Sequence, residues 1–528
     1  MIGGRSPPYS GQHIDSVVDF PLHQDHPMTT TPAHHWPHLA KRVCTILIIL
    51  WLVLLAISIP NQRLIGDEAW LGEQAYFLAH DGVMRSELFH GYAMQHERIL
   101  ITHKLFIALG ALMTLLFGWG LTPLRLVSFI GGALTVWLLI RELRHESTDD
   151  PSLTWRIGLV ALLGMPLYFK FINFYRPEVM VAACGVASYV ALSRYLKHGR
   201  TGTLLASALL AGAAVLVHVN GMIYTAAALV VLLLHRRYAH SALYVITAVV
   251  VASLYFVDVF GHWDMLTYQL RQVPSLTPDD FHWSAPFWRV LDEHKRLFRK
   301  PEIIFTTLLF ITSFVYAWRS RPDLRRSLLA YSIVIVIGLG AVAKAKTTPY
   351  AIALLPFFAL VIAQATTHWT AHLSRTKRWM TALGIAVWGL FLTHSIASNS
   401  LAAVTGKHNA AREHRRVAEA LPQGATVLAP MEFIFNEIDR FDVRAVIAAR
   451  LTLAGHHEAE LTMEQINQYA NDRNITAYVF NSQQRERFGL ADAQLGDRYG
   501  SFVVALITDH GTVVLVHSPG SRYGLYTP

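Results

Sequence analysis

Charged residues that could carry chemistry stand at the ends of long apolar segments. Asp67 and Glu68 follow directly on the first such segment, in the string GDEAW. Arg176 lies between two later segments in FYRPE, and Lys344 and Lys346 lie in KAKTTPY. A carboxylate can accept the proton of an attacking hydroxyl group, and cations can hold the negative charge that develops on a leaving group. These residue types therefore indicate group transfer to a hydroxyl, provided that the fold brings them together.

Several of these residues also have a simpler interpretation. Asp67 could be only the N-cap of the helix that follows it. His218 and Asn220, in the string HVNG, could simply hydrogen-bond the backbone of a break between two apolar helices. Cations near helix ends are commonly interface anchors. The other polar candidates at the ends of apolar segments are Glu97, Lys104, Glu178 and Tyr350.

The composition is that of a polytopic membrane protein. Of the 528 residues, 53% are hydrophobic and 15% are charged, whereas soluble domains carry about a quarter charged residues. Cys44 and Cys184 both lie within apolar segments, which excludes a disulfide framework and a cysteine metal site. The net charge of +9 is assigned to cytoplasmic loops, so no nucleic-acid partner is expected.

The distribution of Lys and Arg predicts which segments cross the membrane. The sequence contains about twelve apolar segments near spanning length. After residue 141, alternate connections are rich in Lys and Arg and the connections between them are poor in both. Basic connections stay in the cytoplasm. The basic connections after residue 141 and Lys41, before the first segment, can therefore all be cytoplasmic only if segment 99–119 does not cross the membrane. We therefore expect about 11 spans, with 99–119 as an interfacial helix. The alternative is twelve spans with a poor charge bias.

Composition divides the chain into three parts. Residues 1–41 form a leader rich in Pro, His and Thr, predicted to be disordered and cytoplasmic. Residues 42–404 form the transmembrane module, with external loops at 61–98 and 261–301. Residues 405–528 are predicted to form a small soluble α/β domain outside the membrane. The fold class is thus mainly α, a polytopic helical membrane protein with a C-terminal α/β domain.

Local patterns refine these parts. In the first external loop, Leu71, Ala75 and Leu78 recur at helical spacing with Glu73 and His80 opposite, which predicts an amphipathic helix on the bilayer surface. In the C-terminal domain, ATVLAP, RAVIAARL and ITAYVFN are typical of strands, and SFVVALITDHGTVVLVHS predicts two strands around a turn. Thr462 and Gln465 predict a capping box at a helix start.

The ordered set of motifs resembles the GT-C glycosyltransferases, and within them the bacterial relatives of protein O-mannosyltransferases and the lipid A aminoarabinose transferase. GDEAW follows the first span, LRLVSFIGGALTVWLLIREL is similar to the second span of that family, and FYRPE matches its second external loop. HVNG is similar to a helix-break motif and KAKTTPYAIALLP to a late Lys/Tyr motif. The resemblance covers about residues 40–370. Where the interfacial helix of the family usually opens with a Pro-Pro pair, this chain has ITHK.

The resemblance implies a hexosyl- or pentosyltransferase that uses a polyprenyl-phosphate sugar on the periplasmic face of a bacterial inner membrane. Asp67 would be the general base for an acceptor hydroxyl, and Glu68 would orient the acceptor or Asp67. Transfer would invert the anomeric configuration and release polyprenyl phosphate. The residues implied for donor and phosphate binding are Arg176, Lys344, Lys346, Tyr350 and Lys104, supported by Glu178, His218, Asn220 and Glu97. Glycolipid, polysaccharide and protein acceptors are all compatible with the sequence.

The motifs require no cofactor. Some GT-C enzymes use a divalent metal, and Asp67, Glu68 and His218 could supply ligands for one, although no spacing demands it. Two other functions stay open. A transporter or flippase of lipid-linked glycans would need ionisable residues near the bilayer midplane and internal repeats, and neither is evident. An oligosaccharide polymerase or ligase would centre its site on a large late loop, for which 261–301 is the candidate.

Overall fold

The computed structural model describes residues 36–147, 149–272, 282–373, 376–405, 410–454 and 461–518. The predicted disordered leader, 1–41, lies mostly outside these residues. Up to residue 405 the described chain forms helices and connecting turns. The helices are α1 (Trp36–Asn61), α2 (Gly66–Asp81), α3 (Lys104–Phe117), α4 (Leu121–Glu146), α5 (Pro151–Gly164), α6 (Pro166–Phe171), α7 (Pro177–His198), α8 (Thr201–Val217), α9 (Met222–Leu234), α10 (Tyr238–Ser253), α11 (Trp263–Gln272), α12 (Ala285–Leu291), α13 (His294–Phe298), α14 (Pro301–Ser320), α15 (Ala330–Val342), α16 (Leu355–Ala371) and α17 (Arg378–Val404).

Within the described residues, seven helices are long and apolar enough to cross a membrane, which agrees with a multi-pass membrane protein. They are His38–Asn61, Leu121–Glu146, Pro177–His198, Tyr238–Phe256, Pro301–Ser320, Pro322–Val342 and Arg378–Val404. The helices α3, α8 and α9 are apolar but shorter. The apolar stretch 156–172 is divided into two helices, because Met165 is extended and Pro166 starts α6. The number of spans, about 11, and their orientation stay predictions.

Segment 99–119 forms a shorter helix than the sequence pattern suggests. α3 begins at Lys104 and has 14 residues, a length of about 21 Å. Residues 99–103 precede it without regular structure. A straight helix of this length is shorter than the apolar core of a bilayer, which is about 30 Å thick.

A close helix contact in the core fixes one of the site elements. Gly185 of α7 faces the ring of Tyr224 on α9, and a Cβ atom at Gly185 would lie 2.2 Å from that ring. Small residues allow this approach in helix bundles of membrane proteins. The Tyr224 hydroxyl then donates to the carbonyl of Ala353 at 2.9 Å. This bond holds the 3₁₀ turn Thr348–Ala353, which carries Tyr350.

The C-terminal part contains a six-stranded sheet in the order β2-β1-β3-β6-β5-β4. β1 pairs in parallel with β2 and β3, and the remaining pairs are antiparallel. The elements are α18 (Ala410–Glu419), β1 (Thr426–Ala429), α19 (Ile434–Glu437), β2 (Asp442–Ala445), α20 (Val446–Ala454), α21 (Met463–Asp472), β3 (Ala477–Phe480), α22 (Ser482–Arg487), β4 (Arg498–Tyr499), β5 (Phe502–Ile507) and β6 (Val513–His517).

Most local predictions for this part are confirmed, and one is wrong. ATVLAP and ITAYVFN form β1 and β3, and β5 and β6 flank the predicted Asp-His-Gly turn. Thr462 and Gln465 make the reciprocal bonds of a capping box. RAVIAARL, however, is a strand only to Ala445 and then becomes helix α20. Its Ala, Leu and Arg residues are strong helix formers, which outweigh the apolar run that resembled a strand.

The C-terminal domain packs against the connection between α1 and α3. The backbone N–H of Ala445 donates to the carbonyl of Leu88 at 2.9 Å, beside an ion pair of Arg444 with Glu87. The domain also reaches the connection between α3 and α4, where the rings of Phe435 and Trp119 stack with centroids 5.5 Å apart. The domain therefore covers α2, the element that carries Asp67.

Candidate active site

The start of α2 places the Asp-Glu pair, and the two carboxylates have different surroundings. The N-cap residue of α2 is Ile65, and its backbone N–H donates to the Glu68 carboxylate at 3.4 Å. Asp67 is therefore not the N-cap, contrary to the simpler interpretation of the sequence. Glu68, three residues beyond the N-cap, satisfies the helix end instead.

Glu68 is fully buried and bound on all sides. Arg125 of α4 donates to both of its oxygens through Nε and Nη2, each at 2.7 Å. The backbone N–H of Tyr175 donates to Oε1 at 2.8 Å. These bonds join α2 to α4 and to the segment before α7. The geometry favours the second of the two roles considered for Glu68, fixing the position of Asp67 rather than contacting an acceptor.

Asp67 points away from this buried pair and meets Arg176. Its side chain is 55% exposed and forms an ion pair with Nη1 of Arg176. Arg176 is placed by Pro177, the first residue of α7, and its Nη2 donates to Glu178 at 2.7 Å. Burial works against the charge of Arg176, but Glu178 and Asp67 outweigh it and hold the pKa of Arg176 above its usual value. The guanidinium is thus a permanent cation.

Two aromatic contacts bring the late motifs to the same place. The rings of His218 and His103 stack with centroids 4.5 Å apart, and Tyr350 meets His218 edge-on at 5.3 Å. Nδ1 of His218 accepts from the backbone N–H of Asn220 at 3.0 Å, which places the proton of the neutral ring on Nε2. Tyr350 also interacts electrostatically with Arg176.

The predicted lysines and Glu97 make contacts of other kinds. Lys104 forms an ion pair with Asp258 at the end of the α10 region. Lys346 bonds to Glu293 at 3.1 Å and caps α15 through the carbonyls of its last turn. Glu97 is 3.8 Å from His96 and half-exposed. Lys344 lies in the same connection as Lys346. The ion pairs of Lys104, Lys346 and Glu97 are thus made with residues other than Asp67 and Arg176.

Arg296 of α13 is a site candidate that the sequence did not indicate. Its side chain is fully buried, pairs with Glu293 at 2.7 Å and lies 5.8 Å from the centre of the Tyr350 ring. Its Nε has no hydrogen-bond partner in the described part of the chain. An arginine in a polar loop is ordinarily exposed, so its sequence carried no signal of this burial.

The C-terminal domain contributes a further carboxyl group beside Asp67. The 3₁₀ turn Met431–Phe433 packs on Gly66, and a Cβ atom at Gly66 would lie 3.8 Å from Oε1 of Glu432. Burial, and then the negative charges of Asp67 and Glu68, raise the pKa of Glu432. The sequence could not reveal this contact because it depends on how two distant parts of the chain pack.

The position of Glu73 differs from the one predicted for the amphipathic helix α2. The sequence placed Glu73 on a polar face, but the structure buries it beneath the segment 84–90. Its Oε1 accepts the backbone N–H groups of Glu87 and Leu88 at 2.9 and 3.0 Å, and Ser86 bonds to Oε2. Burial raises the pKa of Glu73 to about 8. α2 is thus packed inside protein on a face that was expected to meet solvent.

The potential metal ligands at this site do not form a cluster. In the part of the chain that the structure describes, the group of His, Cys, Asp and Glu residues with ligand atoms within 4.8 Å of one another consists of Asp149, His368 and His372. Among the described residues, Asp67, Glu68 and His218 are not such a group, and both oxygens of Glu68 accept hydrogen bonds from Arg125.

Comparison with known proteins gives one family match and several fold matches. The model of a family described as dolichyl-phosphate-mannose-protein mannosyltransferase matches residues 105–261, which extend from α3 to the end of the α10 region. No curated protein matches the sequence.

The solved structures match over almost the whole chain. ArnT from Cupriavidus metallidurans bound to undecaprenyl phosphate is 14% identical, with a TM-score of 0.57 over 89% of this chain and 97% of that chain. Its apo state gives a TM-score of 0.54, with 14% identity over 90% and 98%. The oligosaccharyltransferase of Archaeoglobus fulgidus, tethered to an acceptor peptide, is 12% identical with a TM-score of 0.51 over 92% and 74%.

The two kinds of match cover different lengths of the chain. The family match begins at α3 and includes FYRPE and HVNG. The fold matches extend over the transmembrane module and the C-terminal domain. The chain shares the fold of ArnT and of the archaeal oligosaccharyltransferase, and this agrees with the resemblance that its motifs indicated.

Proposed function

We propose that this protein transfers a sugar from a polyprenyl-phosphate donor to an acceptor hydroxyl, with inversion, on the extracytoplasmic side of the membrane. The observation that carries the proposal is the meeting of four separate motifs. Asp67 of GDEAW, Arg176 of FYRPE, His218 of HVNG and Tyr350 of KAKTTPY are linked by an ion pair, a ring contact and electrostatic interaction. Each motif comes from a different connection between helices.

Asp67 is the group best placed to act as general base. Its carboxylate is the exposed member of the Asp-Glu pair, whereas Glu68 has no free oxygen. In the proposed step, the acceptor oxygen forms a bond to the anomeric carbon and its proton passes to Asp67. The bond from the anomeric carbon to the phosphate oxygen breaks, and polyprenyl phosphate leaves with the electron pair.

Arg176 is the cation that would hold the leaving phosphate. Glu178 fixes one side of the guanidinium through Nε and Nη2, so that Nη1 is the group directed at Asp67. A phosphate oxygen that approaches Nη1 competes with the Asp67 carboxylate for it. Donor binding would therefore release Asp67 for the acceptor hydroxyl. The bound undecaprenyl phosphate in the ArnT structure supports a lipid phosphate as the donor group.

The C-terminal domain borders the same site on the side opposite the helices. Its turn Met431–Phe433 touches the first residue of α2, and Glu432 faces the two carboxylates there. We assign this side to the acceptor, because the lipid donor must reach the site from the membrane. The charge distribution of the connections supports an extracytoplasmic position for this whole end of the molecule.

The proposal is tested by the envelope glycans of a deletion strain that is complemented with variants. We expect wild-type protein and Asp264→Asn, an exposed carboxylate of α11, to restore the same glycan by mass spectrometry. Asp67→Asn keeps the shape of the side chain but removes the base, so it should restore less than about one hundredth of the product. Full restoration by Asp67→Asn at equal abundance would refute the role of Asp67.

A further inference from the structure

A second polar cluster lies at the opposite end of the helices from Asp67 and Arg176. It is formed by Asp149, in the connection between α4 and α5, and by His368 and His372 at the end of α16. Starting from this cluster, α5 and α6 run to the segment that carries Arg176. α16, traced backwards, leads to the 3₁₀ turn that carries Tyr350. The two clusters are therefore separated by the length of these helices.

The three side chains already have the arrangement of metal ligands. One potential ligand atom from each lies within 4.8 Å of the other two. Nδ1 of His368 and Oδ2 of Asp149 are 3.1 Å apart, and two ligands of a tetrahedral zinc ion are separated by about 3.3 Å. His372 bonds through Nδ1 to the carbonyl of His368 at 3.0 Å, so Nε2 carries the free lone pair. Two histidines four residues apart on one helix lie on the same face.

The surrounding charges favour a cation. Arg321 lies 3.7 Å from Asp149, but it is held more closely by Asp323 at 2.7 Å and by the side chain of Gln364. Asp323 also interacts electrostatically with His368. Asp149 and Asp323 carry two negative charges and Arg321 carries one positive charge, so one negative charge is left unbalanced. The neighbouring Tyr316 ring, 6.2 Å from that of His368, is neutral.

The scaffold holds the ligands in place without a metal. α5 packs along α16 so closely that a Cβ atom at Gly158 would lie 3.3 Å from the Ala363 side chain. Asp150 caps α5 and pairs with Lys41, which leaves the carboxylate of Asp149 to face the histidines. The first residues of α5 and the last turn of α16 are thus set side by side before any ion binds.

We propose that Asp149, His368 and His372 bind a divalent cation of the zinc type. Imidazole nitrogen with carboxylate oxygen is a ligand set that suits zinc and its first-row neighbours rather than magnesium or calcium. The ion would link the α4–α5 connection to the end of α16. In the predicted topology this is the cytoplasmic face. The site takes no part in sugar transfer and is independent of the proposed function.

The test is zinc binding by the full-length protein, purified in detergent without a histidine tag and freed of metal by a chelator. Zinc affinity is measured by competition with a chromophoric chelator, and cobalt is used as a spectroscopic probe of nitrogen ligands. The variants are His372→Ala and Asp149→Asn, and the control is His235→Ala, a histidine at the end of α9 on the same face. The histidines of residues 1–35 are the same in all four proteins, so differences between them report the proposed site.

We expect wild-type protein and His235→Ala to bind one more equivalent of zinc than His372→Ala, or to bind that equivalent at least about tenfold more tightly. The cobalt absorption of histidine ligands should weaken in His372→Ala, and Asp149→Asn should lower the affinity without loss of the folded state in thermal unfolding. Equal zinc binding and equal cobalt spectra in wild type and in a folded His372→Ala would overturn the proposal. So would the absence of a saturable zinc site in the wild type.

Discussion

Arg176 and Asp67 form an ion pair that joins the segment before α7 to the start of α2. Glu178 holds the same guanidinium from its other side, and Glu68 is bound to Arg125 behind Asp67. The result is one exposed carboxylate, set on a cation and backed by a second, buried ion pair. The adjacent residues Asp67 and Glu68 therefore have different roles.

Replacing Arg176 by Lys should weaken the binding of lipid phosphate. Lys keeps the charge but cannot bond to Glu178 through two nitrogens while directing a third at a phosphate. We expect undecaprenyl phosphate to bind about ten- to a hundredfold more weakly, measured by native mass spectrometry. Arg271→Lys, at an exposed position of α11, serves as the control and should bind as the wild type does. Equal binding by both variants would remove Arg176 from the phosphate site.

Replacing Glu68 by Gln should lower the free energy of unfolding, because the role of Glu68 is structural. The substitution leaves the Arg125 guanidinium largely buried and without its anionic partner, which costs about 3–5 kcal/mol. We expect a clear fall in the thermal unfolding temperature in detergent. Asp81→Asn, which breaks the half-exposed ion pair with Arg85, should change stability by at most about 1 kcal/mol. A Glu68 variant as stable as the Asp81 variant would contradict the structural role of Glu68.

Glu73 should make stability depend on pH. Its folded pKa is about 8, raised by burial from a usual value near 4.5. The folded state therefore holds the proton more tightly than the unfolded chain, and stability falls as pH rises from about 4.5 to about 8. In Glu73→Gln, the amide can accept from Glu87 and Leu88 and donate to Ser86, so this part of the pH dependence should vanish. The measurement is the unfolding temperature of the wild type and of Glu73→Gln across this pH range. If Glu73 were not responsible, the two curves would be parallel.

The topology can be read with reporters fused at successive connections. A reporter fused after residue 148 should give a cytoplasmic signal, because the Arg-rich connection around it is predicted to stay inside. A reporter fused after residue 220, in HVNG, should give an extracytoplasmic signal. A periplasmic signal after residue 148 would overturn the predicted topology of about 11 spans.

The parts of the site that follow apolar segments could be predicted from the sequence, and the parts that depend on packing could not. Asp67 and Arg176 stood out because charge at the end of a membrane helix is conspicuous. The burial of Glu73 and Arg296 is imposed by connections that have no periodic pattern, namely 84–90 and the segment around α13. Glu432 reaches α2 only through the docking of a separate domain.

The secondary structure shows the same limit. Long apolar helices such as α4 and α17 are recognisable from the sequence, because their length and composition leave no alternative. RAVIAARL was misjudged because four residues of strand continue directly into helix α20, and an apolar run does not distinguish the two.

The most direct test of the central claim measures lipid binding and sugar transfer in one variant, Asp67→Asn. If Asp67 is the base and competes with phosphate for Arg176, the purified variant should bind undecaprenyl phosphate at least as tightly as the wild type. The same variant should restore less than about one hundredth of the envelope glycan in the deletion strain. Wild-type levels of the glycan, or loss of lipid binding together with transfer, would contradict the account.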